Sequence, residues 1–282
     1  MASLPNPKIE KEQTASLEGG ASGGKSNDVK SNVEWQAWGE KDPLFGVIPL
    51  TGRERDGAKP WTDADFYETG RLDWQEFRER WEHYGLTKEG CLEIGCGAGR
   101  ITRSLAEDFP KVYGIDVAEG MIAYARQHMP PNVELFVTDG VTLPVGDVSI
   151  TAVFSVIVFL HFDKKEYAAE YFKEFARVLK PGGSIMIQLP LHIWPTNTKM
   201  SIRKMCGAAM ESYMGMRRWK GAYHRFLLSR KKWSPFMQSI SYETAWVQTT
   251  LESLGFGRIE FSVFQPARGG VPYSWVFAQK VQ

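Results

Sequence analysis

The stretch that decides the fold is Glu93-Ile94-Gly95-Cys96-Gly97-Ala98-Gly99, which lies between an apolar strand pattern and a helical pattern. Glycine adopts backbone angles that other residues avoid, and its missing Cβ lets a ligand approach the main chain. A helix that begins just after such a turn presents free N–H groups to that ligand. The stretch therefore predicts a ligand-binding turn between a first strand and a first helix.

On both sides of this turn, short apolar runs alternate with helical patterns. Such alternation predicts an α/β fold with a doubly wound, mostly parallel seven-stranded sheet and helices on both faces. The last strand is expected to be antiparallel, after a hairpin, and a helix is expected over Tyr242–Leu254. The strands are expected at Gly90–Ile94, Lys111–Ile115, Val133–Val137, Ser149–Val156, Ser184–Gln188, Arg258–Phe264 and Tyr273–Lys280.

The rest of the chain divides by composition into a tail and a cap. Residues 1–32 are rich in Gly, Ser, Lys and Glu, so we expect a disordered tail. Residues 33–87 are expected to form an N-terminal cap, irregular at first and then helical to about Tyr84, with a break at Gly70. The ligand-binding domain is expected over 88–282, with a helical insertion at 191–238.

Bulk composition narrows the class of protein. The chain has 282 residues, a net charge of +1 and three cysteines, none of them in a CxxC pair. This balance gives no overall attraction to nucleic acid, and no His/Cys cluster has the spacing of a zinc site, so no metal is expected. No apolar run reaches the ~20 residues of a membrane span, so a cytoplasmic protein is expected.

Two acids follow the glycine turn at positions that suit an adenosine. The third glycine comes earlier than in the dinucleotide fingerprint, which makes a pyrophosphate ligand less favoured, although another nucleotide stays an alternative. Asp116 ends the second expected strand and can accept hydrogen bonds from a ribose diol. Asp139-Gly140 ends the third, where a carboxylate can meet an adenine amino group.

With the turn Val178-Leu179-Lys180-Pro181-Gly182-Gly183, these motifs resemble class I S-adenosylmethionine-dependent methyltransferases over about residues 88–190. The resemblance implies S-adenosylmethionine as cofactor. It places the glycine loop on the methionine part, one acid on the ribose, the next on the adenine, and a backbone carbonyl after the fourth strand on the ammonium. Carried onto this chain, the cofactor-binding residues are Glu93, Gly95, Cys96, Gly97, Gly99, Asp116, Val117, Met121, Asp139, Gly140 and Ser155.

Three of these residues have alternative interpretations. Glu93 is interpreted as an acid that orders the loop or meets the cofactor ammonium, and the alternative is a solvated strand residue. Cys96 is more simply a small loop residue than a nucleophile, because nothing nearby activates a thiol. Met121 lines an adenine pocket or only packs.

The segment Phe66-Tyr67-Glu68-Thr69-Gly70 is similar to an element of a bacterial subgroup of these enzymes. The resemblance implies that Thr69 and Gly70 belong to the cofactor site. Members of this subgroup often lie near saccharide and lipid biosynthesis functions.

Two histidines are candidate catalytic bases. His161 follows the fourth strand, at the sheet edge where such enzymes receive substrate, and His192 follows the fifth. A base there can remove a proton from an acceptor hydroxyl. The alternative for both is a packing histidine.

Residues 199–232 form a basic, aromatic and Met-rich stretch with one acid, Glu211. It is interpreted as a solvated basic face, as a cover that attracts an anionic substrate, or as an amphipathic element on an anionic membrane. RNA binding is a poorer interpretation, since no RNA-binding module is present. The ten basic residues are Lys199, Arg203, Lys204, Arg217, Arg218, Lys220, Arg225, Arg230, Lys231 and Lys232.

Together these features predict a methyltransferase that acts on a small molecule, by O-methyl transfer to an anionic, saccharide or lipid-linked acceptor. The alternatives are an N- or C-methyltransferase of a secondary metabolite, another cofactor-dependent enzyme on the same fold, and a cofactor-binding regulatory protein. A small-molecule acceptor and no nucleic acid are expected as partners, with peripheral membrane contact possible through 199–232. The oligomeric state stays open.

Overall fold

A computed structural model describes residues 30–138, 140–192, 240–264 and 273–281. Asp139, the basic stretch 199–232 and nearly all of the expected tail lie outside these residues. Within them, no helix is long and apolar enough to cross a membrane.

The sheet has seven strands in the order β3-β2-β1-β4-β5-β9-β8. Neighbours from β3 to β5 are parallel, and β9 runs antiparallel to both β5 and β8. The predicted doubly wound sheet with a reversed last strand is confirmed. The strands are β1 (Cys91–Ile94), β2 (Val112–Asp116), β3 (Val133–Val137), β4 (Ile150–Ser155), β5 (Leu179–Gln188), β8 (Phe256–Phe264) and β9 (Tyr273–Lys280).

Helices cover both faces of this sheet. One face packs against aromatic side chains of a long helix before β1, and the other against the two helices that flank β5 in sequence. The helices are α1 (Lys30–Lys41), α2 (Pro43–Val47), α3 (Asp63–Tyr84), α4 (Thr102–Asp108), α5 (Glu119–Arg126), α6 (Lys165–Val178) and α7 (Thr244–Ser253).

The N-terminal cap is more helical than the sequence predicted. The expected irregular start is α1 and α2, and α1 begins at Lys30, inside the expected tail. A carboxylate oxygen of Asp42 accepts from the Phe45 amide at 3.3 Å, and Pro43 begins the helix, so α2 is capped locally. Helix α1 then packs on α5 through Gly39 and Gly120.

The predicted break at Gly70 is wrong. Helix α3 is continuous over 22 residues and buries Gly70 against the main chain of Arg100. The missing side chain permits close packing here, and the helix bears the small propensity cost of a glycine. The indole N–H of Trp81 donates to Ser184 Oγ at 2.8 Å, which ties α3 to β5.

The start of the expected helix at Tyr242 is also wrong. Residues Tyr242–Glu243 form a short strand, β7, that pairs in parallel with β6 (Leu191–His192). The helix, α7, starts only at Thr244. The residues described just before and shortly after 193–239 therefore lie side by side.

Candidate active site

A cavity of about 1120 Å³, measured to its open mouth, lies at the carboxyl ends of β1, β2 and β4. Ligands of open α/β sheets bind at this edge, where the strand order reverses between β1 and β4. The glycine loop and its flanks contribute one wall, formed by Glu93, Ile94, Gly95, Cys96, Gly97 and Arg100.

The glycine loop holds backbone conformations that require glycine. The φ angles of Gly95 and Gly97 are 68° and 53°, in the left-handed region. A Cβ on Gly95 would lie 2.2 Å from a methyl carbon of Val158, and one on Gly97 would lie 2.8 Å from a methyl carbon of Val47. Any other residue would therefore strain the loop and displace what covers it.

Asp116 ties the glycine loop to the start of α5. Its two carboxylate oxygens accept from the amide N–H groups of Gly97 and Ala118, both at 2.9 Å. Burial raises the pKa of Asp116, and these backbone hydrogen bonds act in the opposite direction. A carboxylate has about four acceptor positions, so Asp116 retains capacity to accept from ligand hydroxyls in the cavity.

Glu93 is a buried acid on the same wall. Its carboxylate accepts from the Thr102 hydroxyl at 2.6 Å, and only 3% of the residue is exposed. Burial raises the pKa of Glu93 to about 8, although the Thr102 hydrogen bond and the Arg100 charge lower it. A cationic ligand in the cavity would favour the ionised form of this acid.

Cys96 is buried in the loop, and burial together with the nearby Asp116 and Glu93 raises the pKa of its thiol well above the ordinary value. A thiol that resists ionisation is a poor nucleophile, which favours the interpretation of Cys96 as a small packing residue.

Of the other residues predicted to bind the cofactor, some line the cavity and some do not. Val117, Met121 and Gly140 line it. Gly99 is not among the lining residues and instead packs beside Met129. Ser155 is fully buried, and its hydroxyl donates to the Ile94 carbonyl at 3.1 Å, which joins the ends of β4 and β1.

The segment of α3 predicted to touch the cofactor supports the loop from behind. The Tyr67 hydroxyl donates to the Ala98 carbonyl at 3.0 Å, and the Thr69 hydroxyl donates to the Phe66 carbonyl of its own helix at 2.6 Å. A Cβ on Gly70 would lie only 1.9 Å from the Arg100 carbonyl oxygen. Thr69 and Gly70 are absent from the cavity lining, so their contact with the cofactor stays a prediction.

Replacing Gly70 by Ala is expected to lower the melting temperature and weaken ligand binding at the loop. The new methyl group would press on backbone, which cannot give way as a flexible side chain would. The overpacking cost of roughly 1–3 kcal/mol outweighs the ~1 kcal/mol that Ala gains over Gly in a helix. Thermal unfolding of both proteins checks this.

The matched control is Glu79→Ala, at an exposed position of the same helix. It is expected to leave the melting temperature within about 2 °C of the wild type, as surface substitutions usually do. A Gly70→Ala protein that melts at a higher temperature would contradict the close packing of α3 on the loop.

The two candidate bases occupy different places. His161 lines the cavity, and its ring lies edge-on to that of Trp35, with centroids 5.2 Å apart. His192 is not in the lining; it lies in β6, where its carbonyl accepts from the Thr244 hydroxyl at 3.3 Å. The structure therefore brings His161 to the cavity and leaves His192 outside the lining.

The sequence did not predict that α1 would cover the cavity. Ser31, Asn32 and Trp35 of this helix line it, and the Ser31 amide donates to Asp163 at 3.4 Å. The Trp-rich composition near Trp35 was the available signal, but composition does not say which site a helix will cover.

Metal ligands are not grouped in the described parts of the chain: no cluster of three or more His, Cys, Asp or Glu there could hold an ion.

A glycine loop after β1, an acid at the end of β2 and the strand order around them define a class I S-adenosylmethionine-binding fold. Residues 91–183 match the family model described as a methyltransferase domain. The chain therefore carries a class I S-adenosylmethionine-dependent methyltransferase domain, and its cofactor is S-adenosylmethionine.

Three curated relatives show the range of similar proteins. The chain is 29% identical over 190 residues to the 2-methyl-6-phytyl-1,4-hydroquinone methyltransferase of Synechocystis sp., covering 62% of this chain and 58% of that protein. It is 33% identical over 107 residues to the malonyl-[acyl-carrier protein] O-methyltransferase of Methylococcus capsulatus, covering 36% and 38%. It is 33% identical over 114 residues to the probable tRNA methyltransferase 9B of Mus musculus, covering 40% and 24%. The match thus spans less than two thirds of each relative.

Proposed function

We propose that this chain is an S-adenosylmethionine-dependent O-methyltransferase of a small anionic, saccharide or lipid-linked acceptor. One observation carries the proposal: a single cavity extends from the glycine loop and Asp116 to His161. The same space can therefore hold a methyl donor together with a proton acceptor.

The lining fits the adenosine and methionine parts of the cofactor. The open acceptor positions of Asp116 suit the ribose diol, and Val117, Met121 and Gly140 provide an apolar, close-fitting wall for the adenine. Glu93 supplies a carboxyl group near the loop that can face positive charge. When bound, S-adenosylmethionine supplies an electrophilic methyl group on a sulfonium, and the protein contributes position and a dry pocket.

The part of the cavity lining around His161, the candidate base, is aromatic. His161 lies beside Trp35, and Phe162, Tyr167 and Tyr171 complete this part of the lining. Aromatic walls exclude water and orient a flat or apolar portion of a substrate. In this proposal the His161 ring accepts the proton that an acceptor hydroxyl loses as the O–CH₃ bond forms.

The anionic acceptor is supported by where the basic stretch 199–232 joins the described fold. On its carboxyl side, the Ile240 amide donates to the Leu160 carbonyl at 2.8 Å, directly beside His161. The Tyr242 hydroxyl donates to the Phe159 carbonyl at 2.7 Å in the same turn. The stretch that contains the ten basic residues thus precedes, in the chain, a segment that lies beside the His161 turn, and basic side chains attract anions.

The relatives support parts of this proposal. One is named as an O-methyltransferase of a malonyl-[acyl-carrier protein], which favours an oxygen nucleophile on a carrier-linked acceptor. Another is named as a hydroquinone methyltransferase, which favours a small acceptor. The name of a third points to tRNA as the alternative acceptor. The net charge of +1 favours the small molecule, because RNA binding relies on a strongly positive surface.

The test is S-adenosylhomocysteine production by the full chain with labelled methyl donor. A small-molecule extract, fractionated by anion exchange, is expected to support turnover, and the label is expected in an alkali-stable or ester-linked O-methyl group of an anionic fraction. Total RNA is the comparison arm. Label that enters only RNA, or no turnover with any fraction, would overturn the proposal.

Replacing His161 by Ala is expected to slow methyl transfer on the order of 100- to 10,000-fold while leaving cofactor affinity within a few fold, because a positioned base contributes about that much. Single-turnover rates and calorimetry with S-adenosylhomocysteine separate the two quantities. His83→Ala, at an exposed position of α3, is the matched control and is expected to react at the wild-type rate. An unchanged rate for His161→Ala would return His161 to a packing role.

A further inference from the structure

Ile157, two residues beyond β4, holds an unusual backbone conformation. Its φ angle is +57°, in the left-handed region, and it lines the cavity. A β-branched side chain makes this region costly, by roughly 1–3 kcal/mol, so the conformation persists only when surrounding contacts impose it.

One imposing contact comes from Gln188, the last residue of β5. Its side-chain oxygen accepts from the Ile157 amide N–H at 2.8 Å, and only 4% of Gln188 is exposed. Gln188 is not among the cavity-lining residues. The amide N–H of Ile157 is therefore directed into the protein, away from the ligand space.

The planarity of the peptide bond fixes the direction of the carbonyl group opposite the Ile157 N–H. In a trans peptide the N–H and the C=O of one unit point in opposite directions, and the structure has no cis peptide within the described residues. The carbonyl that shares a peptide plane with the Ile157 N–H belongs to Val156. It therefore points away from Gln188, on the side where Val156 and Ile157 line the cavity.

The same loop presses on the glycine loop. A methyl carbon of Val158 lies only 2.2 Å from the position that a Cβ on Gly95 would take. The Val156–Ile157 peptide is thus held between Gln188 on one side and the glycine loop on the other, and Glu93 lines the same cavity. A backbone carbonyl and a carboxyl group so placed offer two acceptors to one cation.

We propose that Gln188 is a positioning residue that fixes the Val156–Ile157 peptide, so that the Val156 carbonyl accepts a hydrogen bond from the α-ammonium of S-adenosylmethionine. This inference rests on the proposed function, since it requires the cofactor in the cavity. It moves the expected carbonyl from Ser155 to Val156 and assigns the device that orients it. Without the Gln188 acceptor, Ile157 relaxes to a negative φ angle and the carbonyl rotates out of the site.

The test compares two ligands that differ in the group concerned. S-Adenosylhomocysteine carries the α-ammonium, and 5′-methylthioadenosine has the same adenosine without the amino-acid part. Gln188→Met removes the acceptor with little change in side-chain volume. It is expected to weaken S-adenosylhomocysteine about 10- to 100-fold, the worth of a charge-assisted hydrogen bond, and to change 5′-methylthioadenosine less than twofold.

Two further variants separate positioning from folding. Gln188→Glu retains a side-chain acceptor and is expected to keep the wild-type ratio of the two affinities within about threefold. Ile157→Gly, with Gln188 in place, adopts a φ of +57° without strain and is expected to keep the ratio as well. It also tests the peptide geometry if the Gln188→Met protein fails to fold.

The outcomes are distinct. Selective loss of S-adenosylhomocysteine binding in Gln188→Met, with the ratio kept in the other two variants, supports the positioning role. Equal loss of both ligands, no loss of either, or a changed ratio in Ile157→Gly overturns it while the proposed function stands. A wild-type chain that binds neither ligand overturns both.

Discussion

The Asp116→Ala protein is expected to lose nearly all affinity for S-adenosylhomocysteine, with Kd rising on the order of 100- to 10,000-fold. Two hydrogen bonds from a ribose diol to a carboxylate contribute about 1.5–3 kcal/mol each. The same change frees the Gly97 and Ala118 amides that Asp116 holds at 2.9 Å, which loosens the glycine loop as well. Calorimetric titration of the purified full chain measures the effect.

Asp116→Asn is the matched control. The side chain keeps nearly the same shape and one acceptor oxygen. Its NH₂ group, however, faces an N–H group that donated to the carboxylate in the wild type. An intermediate affinity is therefore expected. Wild-type affinity in Asp116→Ala, with the fold intact by circular dichroism, would remove Asp116 from the cofactor site.

Glu93→Gln is expected to produce opposite effects on stability and binding. The free carboxyl group has a pKa near 4.5, and burial raises that of Glu93 to about 8 in the folded chain. Between these values the folded state keeps a proton that the unfolded state has lost, so the free energy of unfolding of the ligand-free protein falls as pH rises from about 4.5 to 8. Well above pH 8, the free-energy cost of burying the ionised Glu93 no longer changes with pH.

Glutamine carries no charge to bury, and its oxygen can still accept from Thr102. At pH 8 to 9 the ligand-free Glu93→Gln protein is therefore expected to be more stable than the wild type, by on the order of 5 kcal/mol for the full shift. It is expected to bind S-adenosylhomocysteine more weakly, because a neutral amide attracts the cofactor ammonium less than a carboxylate does.

Denaturant unfolding of both proteins at pH 5, 7 and 9, with calorimetry at pH 8, resolves the two effects. Glu89→Gln, at an exposed position just before β1, controls for the loss of a surface charge and is expected to change neither quantity much. A stability difference that does not grow with pH would contradict the buried, protonated state of Glu93.

The sheet was predictable because its signals are local. Each parallel strand is a short apolar run, and the glycine turn and the acid at Asp116 follow strands directly in sequence, so their place at one edge follows from the topology. Strands β3 and β9 have the predicted bounds, Val133–Val137 and Tyr273–Lys280. The end of the cap's helical part at about Tyr84 was also predicted, although the helix itself has no break at Gly70.

Features that depend on distant partners were missed. Gly70 has the local character of a helix breaker, and only its contact with the Arg100 carbonyl, 30 residues away in sequence, explains its place within α3. The bond between Gln188 and Ile157 joins two strand ends through a left-handed residue that no pattern marks. The start of α7 shifted because Tyr242 pairs with β6, which lies at the start of the insertion, far away in sequence.

The candidate site divides in the same way. The loop glycines, Glu93 and Asp116 could be named from their order in the chain, whereas Thr69 was assigned to the cofactor by resemblance and is not among the lining residues. The covering of the cavity by α1 could not be read from the sequence, because a helical pattern does not specify the surface that its apolar side will meet.

The most direct test of the account is calorimetric titration of the wild-type chain with S-adenosylhomocysteine and, separately, with NADH. The glycine spacing, the acceptor positions of Asp116 and the cavity at the β1–β4 switch point predict one-to-one binding of S-adenosylhomocysteine and no binding of NADH. Binding of NADH, or no binding of S-adenosylhomocysteine at millimolar concentration, would contradict the assignment of this cavity to the methyl donor.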